Sequence, residues 1–188
     1  IGASVNIGTY YMPRLIREFQ DRYPGIKVQV KINTTAVVEK ELLDGKLDLA
    51  LVGGTIQSEY IIAEPLFYEK YTAICATDHP MAGKTVLLEE FMKEPLLFRE
   101  KSSGAYEVFQ SAVNQTGLTV MPVWESTSQT TLMEAVHYGL GVTILPEQMI
   151  KREVREGRLA QITFSDFSFQ NTIHIAYHHS KYLSPSIK

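Results

Sequence analysis

The 188-residue sequence holds one cysteine and one tryptophan. A lone cysteine excludes an internal disulfide and a cysteine-based metal site, and it fits a reducing compartment. No apolar run approaches the roughly 20 residues of a membrane-spanning helix. No signal peptide or targeting tail is recognisable, so a cytoplasmic location is expected. Basic charge is not in excess: 18 Lys and Arg stand against 21 Asp and Glu, a net charge of −3. A chain with that balance is not expected to bind DNA by its own surface. There is no G-x-S-x-G, no H-E-x-x-H and no glycine-rich phosphate loop, which argues against the common hydrolase, metalloprotease and nucleotide-binding chemistries. The chain starts at Ile1, inside what reads as a strand. The expectation is a piece of a longer or processed protein.

What is present is a regular alternation. Ile1–Ser4 reads as the tail of a strand, Ser4 and Asn6 as a polar turn, and the stretch to about Arg22 as a helix with Met12, Leu15, Ile16, Phe19 and Tyr23 on one apolar face. Tyr23-Pro24-Gly25 is a turn. In IKVQVKI, Ile26, Val28, Val30 and Ile32 alternate with polar residues, as in a strand. Asn33-Thr34-Thr35 then opens a second helix that ends at Gly45. LDLALV is apolar on both faces and reads as a buried parallel strand. This order, strand to helix to strand, implies βαβ units with right-handed crossovers.

The pattern continues with a long strand in PLFYEKYTAICATDHP, a short helix over 85–93 and a strand in LLFRE. A helix over 105–116 and a strand in VMPVWES follow. Next come a helix from 128 to about 138, a strand in GVTILP, a helix over 147–156 and strands in LAQITF and TIHIAYHH. Two α/β halves result, with the join near Ala76-Thr77. The last strand comes too late for the second half's repeat, so it is expected to return to the first. The expected division is 1–75 with 173–188 in one subdomain and 76–172 in the other. Two crossovers between two subdomains would make a cleft that opens and closes at a hinge.

Four polar turns each open a helix: Ser4/Asn6, Asn33/Thr34/Thr35, Ser102/Ser103/Gly104 and Ser126/Thr127/Ser128. Ligands of open α/β sheets bind beyond the carboxyl ends of the strands, where such turns lie. Unpaired N–H groups at helix starts favour an anion there. Taken singly, each turn reads more simply as a helix cap. Together, two on each half, they point to a binding cleft for a carboxylate, sulfate or phosphate. Arg99, at the end of LLFRE, would add a fixed charge able to grip such a group with two parallel bonds.

Other reactive side chains read as structural. His174, His178 and His179 on the last strand could gather a metal, but they lack partners at ligand spacing and read as strand-edge imidazoles. His79 precedes a proline in a turn, and His137 sits near a helix end where a cation suits the dipole. Cys75 falls in an apolar strand and reads as a small buried hydrophobe. Trp124 reads as core or as a domain interface. No metal, cofactor or catalytic residue is expected.

The chain resembles, from first residue to last, the effector-binding domain of LysR-type transcriptional regulators. Four stretches carry the likeness: IGASVNIGTYYMPRLIREFQDRYPGIKVQV, DGKLDLALVGG, CATDHPMAGK and AVHYGLGVTILPEQMI. Pro13, Leu15, Phe19, Tyr23 and Pro24 stand in the family's positions in the first, and GLGVTILP is similarly specific in the last. The overall similarity leans toward relatives in sulfur and cysteine metabolism. The resemblance implies two Rossmann-like α/β subdomains joined by two crossover strands, the type II periplasmic-binding-protein-like arrangement, with a small inducer between them. It implies a winged helix-turn-helix DNA-binding domain before residue 1, through which alone DNA is bound. It places inducer contacts at Ser4, Asn6, Asn33, Thr34, Thr35, Ser102, Ser103, Ser126 and Ser128, to which charge and position add Arg99. It implies a homodimer in which helix 10–22 of one copy, presenting Tyr11, Arg14, Ile16 and Arg17, packs on helix 128–138 of the other, through Met133, Val136 and His137. The full-length protein would be a tetramer.

Two other readings fit the same pattern less well. A solute-binding protein for transport shares the fold, but the free cysteine and the missing leader weigh against it. An enzyme on this fold would need a nucleophile or metal motif that the sequence lacks.

Overall fold

The computed structural model describes residues 1–182. The chain divides into two compact units: Ile1–Tyr68 together with the segment from Thr172, and Glu69–Asn171. It passes from the first to the second along one strand, β4 (Ile61–Cys75). It returns along the strand that ends the fold, Gln170–His178. The break thus falls at 68/69 and not at the expected 75/76. The reason is that β4 is one continuous strand whose residues from Tyr71 on already pair with strands of unit 2.

In unit 1, β1 (Gly2–Ser4) is the middle of three parallel strands. β2 (Lys31–Asn33) lies on one side and β3 (Ala50–Gly53) on the other. The returning strand runs antiparallel to β3, with Ile173 opposite Gly53 and Ala176 opposite Ala50. Side chains alternate across this sheet. Ala50 and Val52 meet Val38 and Leu42 of helix α3 (Thr35–Leu43), while Ala3, Leu51 and Ile173 meet Ile7 and Met12 on the other face.

The helix expected over 10–22 is two helices and begins earlier: α1 (Val5–Tyr10) follows β1 directly, and α2 (Met12–Arg22) follows α1 after a break at Tyr11. Pro13 has no N–H for the Thr9 carbonyl, so the ladder stops and restarts with the proline in the first turn, where it is tolerated. Asn6 therefore lies inside α1 and not in a loop. Gly8 lets α1 press on β2, since a Cβ there would stand 2.7 Å from the Ile32 side chain. The strand expected over 26–32 forms its ladder only at Lys31–Asn33, because β1 offers only Gly2, Ala3 and Ser4 as partners.

Helix α2 keeps its apolar periodicity but buries only Met12. Leu15 and Tyr23 are 41% and 46% exposed, and Ile16 and Phe19 are half-buried. The sheet face over Ala3 and Leu51 is already met by Ile7 of α1.

In unit 2, the second half of β4 pairs antiparallel with two later strands, Thr143–Pro146 and Ala160–Phe164, and the latter pairs parallel with β5 (Thr85–Val86). A second parallel pair is β6 (Leu97–Arg99) with β7 (Trp124–Ser126). In chain order the two later strands are β8 and β9, and the returning strand is β10. The β6 segment joins the rest through Leu97 N–H to the Val142 carbonyl and Val142 N–H to the Pro95 carbonyl. Gly141 permits this approach, because any Cβ there would collide with the Pro95 carbonyl.

Helices cover both sides. α4 (Leu88–Phe91) and α5 (Gly104–Asn114) enclose Phe98, Phe109 and Phe169, whose rings pack at 4.8 and 5.3 Å. α6 (Gln129–His137) and α7 (Glu147–Arg155) enclose Ile74, Leu97 and Leu145. Each such ring or aliphatic side chain contributes about 1.5–3 kcal/mol when fully buried.

Three expectations shift here. The helix over 85–93 shortens to α4, since Thr85 and Val86 pair with β9 and Glu90 accepts the Leu87 N–H to start the helix only there. The strand over 120–126 is only Trp124–Ser126, the length that β6 can match. Trp124 is 43% exposed and so is not a core residue. Cys75 is buried, as expected, and burial with the nearby Asp78 and Glu94 carboxylates pushes its thiol up to about 11, which keeps it protonated and unreactive.

Candidate functional site

The polar turns gather at the carboxyl ends of parallel strands, one group in each unit. In unit 1 the ends of β1, β2 and β3 are Ser4, Asn33 and Gly53. Ser4 caps α1 by position but makes no side-chain cap bond. Its hydroxyl instead accepts the Gly53 N–H at 3.4 Å. Thr35 donates its hydroxyl to the Gly53 carbonyl at 2.9 Å. Both hydroxyls are almost fully buried. Asn33 accepts the Thr34 N–H at 2.9 Å, and Thr34 caps α3 by accepting the Val37 N–H at 3.4 Å. Asn33 is exposed, while Asn6 and Thr34 are half-buried. Unit 1 thus presents an edge of amides and hydroxyls, with the start of α3 behind it and no ionised side chain among the expected contacts.

In unit 2 the edge is built on the β6–β7 pair, where Arg99 and Ser126 stand side by side. The Ser126 hydroxyl donates to the Ser128 carbonyl and accepts the Ser128 N–H, at 3.2 and 3.0 Å. Ser128 in turn caps α6 by accepting the Thr131 N–H at 3.2 Å. Ser103 occupies the cap position of α5 without a side-chain cap bond and is 6% exposed, while Ser102 is exposed in the turn before it. Arg99 is 8% exposed, and Glu100 holds it in a two-bond fork: Nε to Oε2 at 2.8 Å and Nη2 to Oε1 at 2.9 Å. Glu100 lies just past the end of β6, where the chain turns back so that the Ser103 N–H reaches the Glu100 carbonyl.

Two features at these edges escape sequence reasoning. Glu39, on the flank of α3, is 8% exposed and accepts the N–H groups of Gln57 and Ser58 with a single oxygen, at 3.0 and 2.6 Å. It holds the segment that follows Gly53-Gly54, and no pattern distinguishes it from a solvated helix residue. Glu69 and Asn171, 2% and 4% exposed, flank the buried Tyr71 phenol, which hydrogen-bonds to both. Burial first, and then the Glu69 carboxylate, raise the Tyr71 ionisation well above the ordinary tyrosine value, so the phenol remains a donor.

The histidines do other work. His178 and His179 pack against each other with ring centres 4.7 Å apart and against Tyr60, and their ring nitrogens bond to Ser180 and to the Tyr60 carbonyl. His137 bonds to the Arg158 carbonyl at 2.9 Å. Among the described residues no three His, Cys, Asp or Glu side chains gather so as to hold a metal ion.

A surface hollow of about 430 Å³ lies along the start of α6 in unit 2, lined by Trp124, Ser128, Thr131, Glu134, Tyr138 and Leu140. Of its apolar members Trp124, Tyr138 and Leu140 are exposed, while Ala135 is buried. Val136, expected to be among them, is fully buried in unit 2's own core, and Met133 packs against that core.

Parallel βαβ architecture interrupted by two crossover strands is the type II periplasmic-binding-protein-like arrangement. Residues 1–188 match the family described as the LysR substrate binding domain, and the chain belongs to that family. It is 29% identical over 183 residues to the HTH-type transcriptional activator CmpR of Synechocystis sp. (strain ATCC 27184 / PCC 6803 / Kazusa), covering 97% of this chain and 60% of that protein. The chain spans 60% to 64% of the length of the curated relatives it matches. In structure it is similar to the effector binding domain of QuiR in complex with shikimate, with a TM-score of 0.87 at 18% identity over 99% of this chain and 89% of that one. It is also similar to the Synechocystis PCC6803 CcmR regulatory domain in complex with 2-PG, with a TM-score of 0.86 at 23% identity over 98% and 88%. Among the described residues no helix is long and apolar enough to cross a membrane.

The Glu39 contact is directly testable. Hydrogen bonds to a charged group are worth about 1.5–3 kcal/mol. Glu39→Ala should therefore speed amide exchange at Gln57 and Ser58 roughly tenfold or more, while Glu39→Gln, which keeps an acceptor, should have a smaller effect. Unchanged exchange at both amides in Glu39→Ala would contradict the assignment.

Proposed function

We propose that this chain is the effector-sensing part of a bacterial LysR-type transcriptional regulator of the cytoplasm, without catalytic activity of its own. It binds one small anionic or polar metabolite through Ser4, Asn6, Asn33, Thr34 and Thr35 of unit 1 and Arg99, Ser102, Ser103, Ser126 and Ser128 of unit 2. The observation that carries this reading is the placement of hydroxyls, amides and helix starts at the carboxyl ends of parallel strands in both units. The relatives are named as transcriptional regulators, and two structural neighbours hold small ligands. In the whole protein a helix-turn-helix domain would carry the DNA contact, as the relatives' names imply for them. A transport role on the same fold has no such support.

Calorimetry tests the reading with shikimate and 2-phosphoglycolate as probes. Thr34→Val and Ser102→Ala remove one hydroxyl from each unit. Each should weaken binding by about 0.5–1.5 kcal/mol, the usual worth of one hydrogen bond. Loss confined to variants of one unit would overturn the two-sided site.

The domain also assembles as a homodimer in this reading, a tetramer in the full protein. The α2 flank of one copy (Leu15, Ile16, Tyr23) with Ile32 of β2 seats on the hollow around Trp124, Tyr138 and Leu140 of the other. Isolated apolar residues are ordinary on a surface, but exposed apolar groups on both units suit a two-fold contact made twice. Sedimentation at micromolar concentration should give a dimer, and Leu140→Asp or Ile32→Asp a monomer. A monomer for the unaltered chain would end this part of the proposal.

A further inference from the structure

The two-bond grip on Arg99 has a consequence for any anion that approaches it. We propose that Glu100 is an internal stand-in for the effector's anionic group: it fills the Arg99 fork in the free domain, and an incoming carboxylate or phosphate takes its place. This rests on the reading of the domain as an anion-sensing one.

A guanidinium can grip a carboxylate along its Nε–Nη2 edge or its Nη1–Nη2 edge, and here both bonds of the Nε–Nη2 edge, at 2.8 and 2.9 Å, go to the neighbouring residue. Arg99 and Glu100 side chains are only 10% and 17% exposed, so their attraction is little screened by water. The buried Glu69 stands with Tyr71 on β4, and the Arg99 charge reaches that phenol. With Glu100 in place, the Arg99 charge is already neutralised along that edge. An anion that takes this edge of Arg99 must therefore exchange with Glu100 and cannot simply add to it.

Glu100 is the partner better placed to leave. It lies beyond the last residue of β6, and its side chain is the more exposed of the pair. Its backbone is tied to both halves of the polar edge: its N–H goes to the Ser126 carbonyl, and its carbonyl accepts the Ser103 N–H. Release of the Glu100 side chain would thus be felt at the starts of α5 and α6, where Ser103 and Ser128 stand. Glu100 would set both the threshold affinity for an anion and the selectivity for groups that outcompete a carboxylate in a fork.

The test compares the unaltered domain with Glu100→Gln and Arg99→Gln, by calorimetry against 2-phosphoglycolate. Glu100→Gln should bind roughly tenfold tighter, and Arg99→Gln at least roughly tenfold weaker, the equivalent of one charged hydrogen bond. If Arg99→Gln weakens binding while Glu100→Gln leaves it unchanged or weaker, the stand-in role is overturned and the anion site survives. If Arg99→Gln binds as the unaltered domain does, both fall. A second measurement needs no variant at Glu100. The Arg99 Nε–H resonance, assigned through Arg99→Lys, should move on titration with inorganic phosphate as the fork changes partner. An Arg99 resonance that no phosphate or 2-phosphoglycolate concentration moves would overturn the proposal even if Glu100→Gln fails to fold.

Discussion

The candidate site of unit 1 depends on how one glycine is held. Gly53 ends β3 with its N–H on the Ser4 hydroxyl and its carbonyl on the Thr35 hydroxyl. Three elements are joined by that pair of bonds: the end of β1, the first turn of α3 and the end of β3. A short three-stranded parallel sheet has little ladder of its own, with three β1–β2 pairs and two β1–β3 pairs. Side-chain bonds at the strand ends therefore fix the register where backbone bonds run out. On the same edge Thr34 stands at the head of α3, capping it. Glu39 extends the same logic by one segment, fastening residues 57 and 58 that follow the glycines.

Unit 2 solves the same problem with charge. Its short parallel pair, β6 and β7, ends in Arg99 beside Ser126, and a buried guanidinium there needs a partner. The chain supplies one from the next residue. The two units thus offer different chemistry to a ligand, neutral donors and acceptors on one and a neutralised cation on the other.

Much of the architecture was legible because it rests on local rules. The strand and helix rhythm follows from periodicity. Thr34 and Ser128 cap their helices because a hydroxyl at that offset is well placed to do so. Pro13 marks the break between α1 and α2, although the sequence reading ran one helix through it. Other features are tertiary and leave no local trace. Leu15 and Tyr23 carry the same helical spacing as a core stripe, yet they are exposed because α1 has already covered the sheet. Ser4 reads as a cap and bonds instead to a residue far along the chain. Arg99 was legible as a charge at a strand end, but not its capture by Glu100, because adjacent residues of a strand point apart unless the strand has ended. Glu39 and Glu69 look like surface carboxylates in sequence and are buried in the fold.

The central claim is that both polar edges serve one ligand. An amide NMR titration of the domain with 2-phosphoglycolate addresses it most directly. The account requires the amides of Thr35, Gly53 and Gly54 in unit 1 and of Ser102, Ser103 and Ser128 in unit 2 to shift along one common binding curve. Shifts confined to one unit, or two curves with different midpoints, would contradict it.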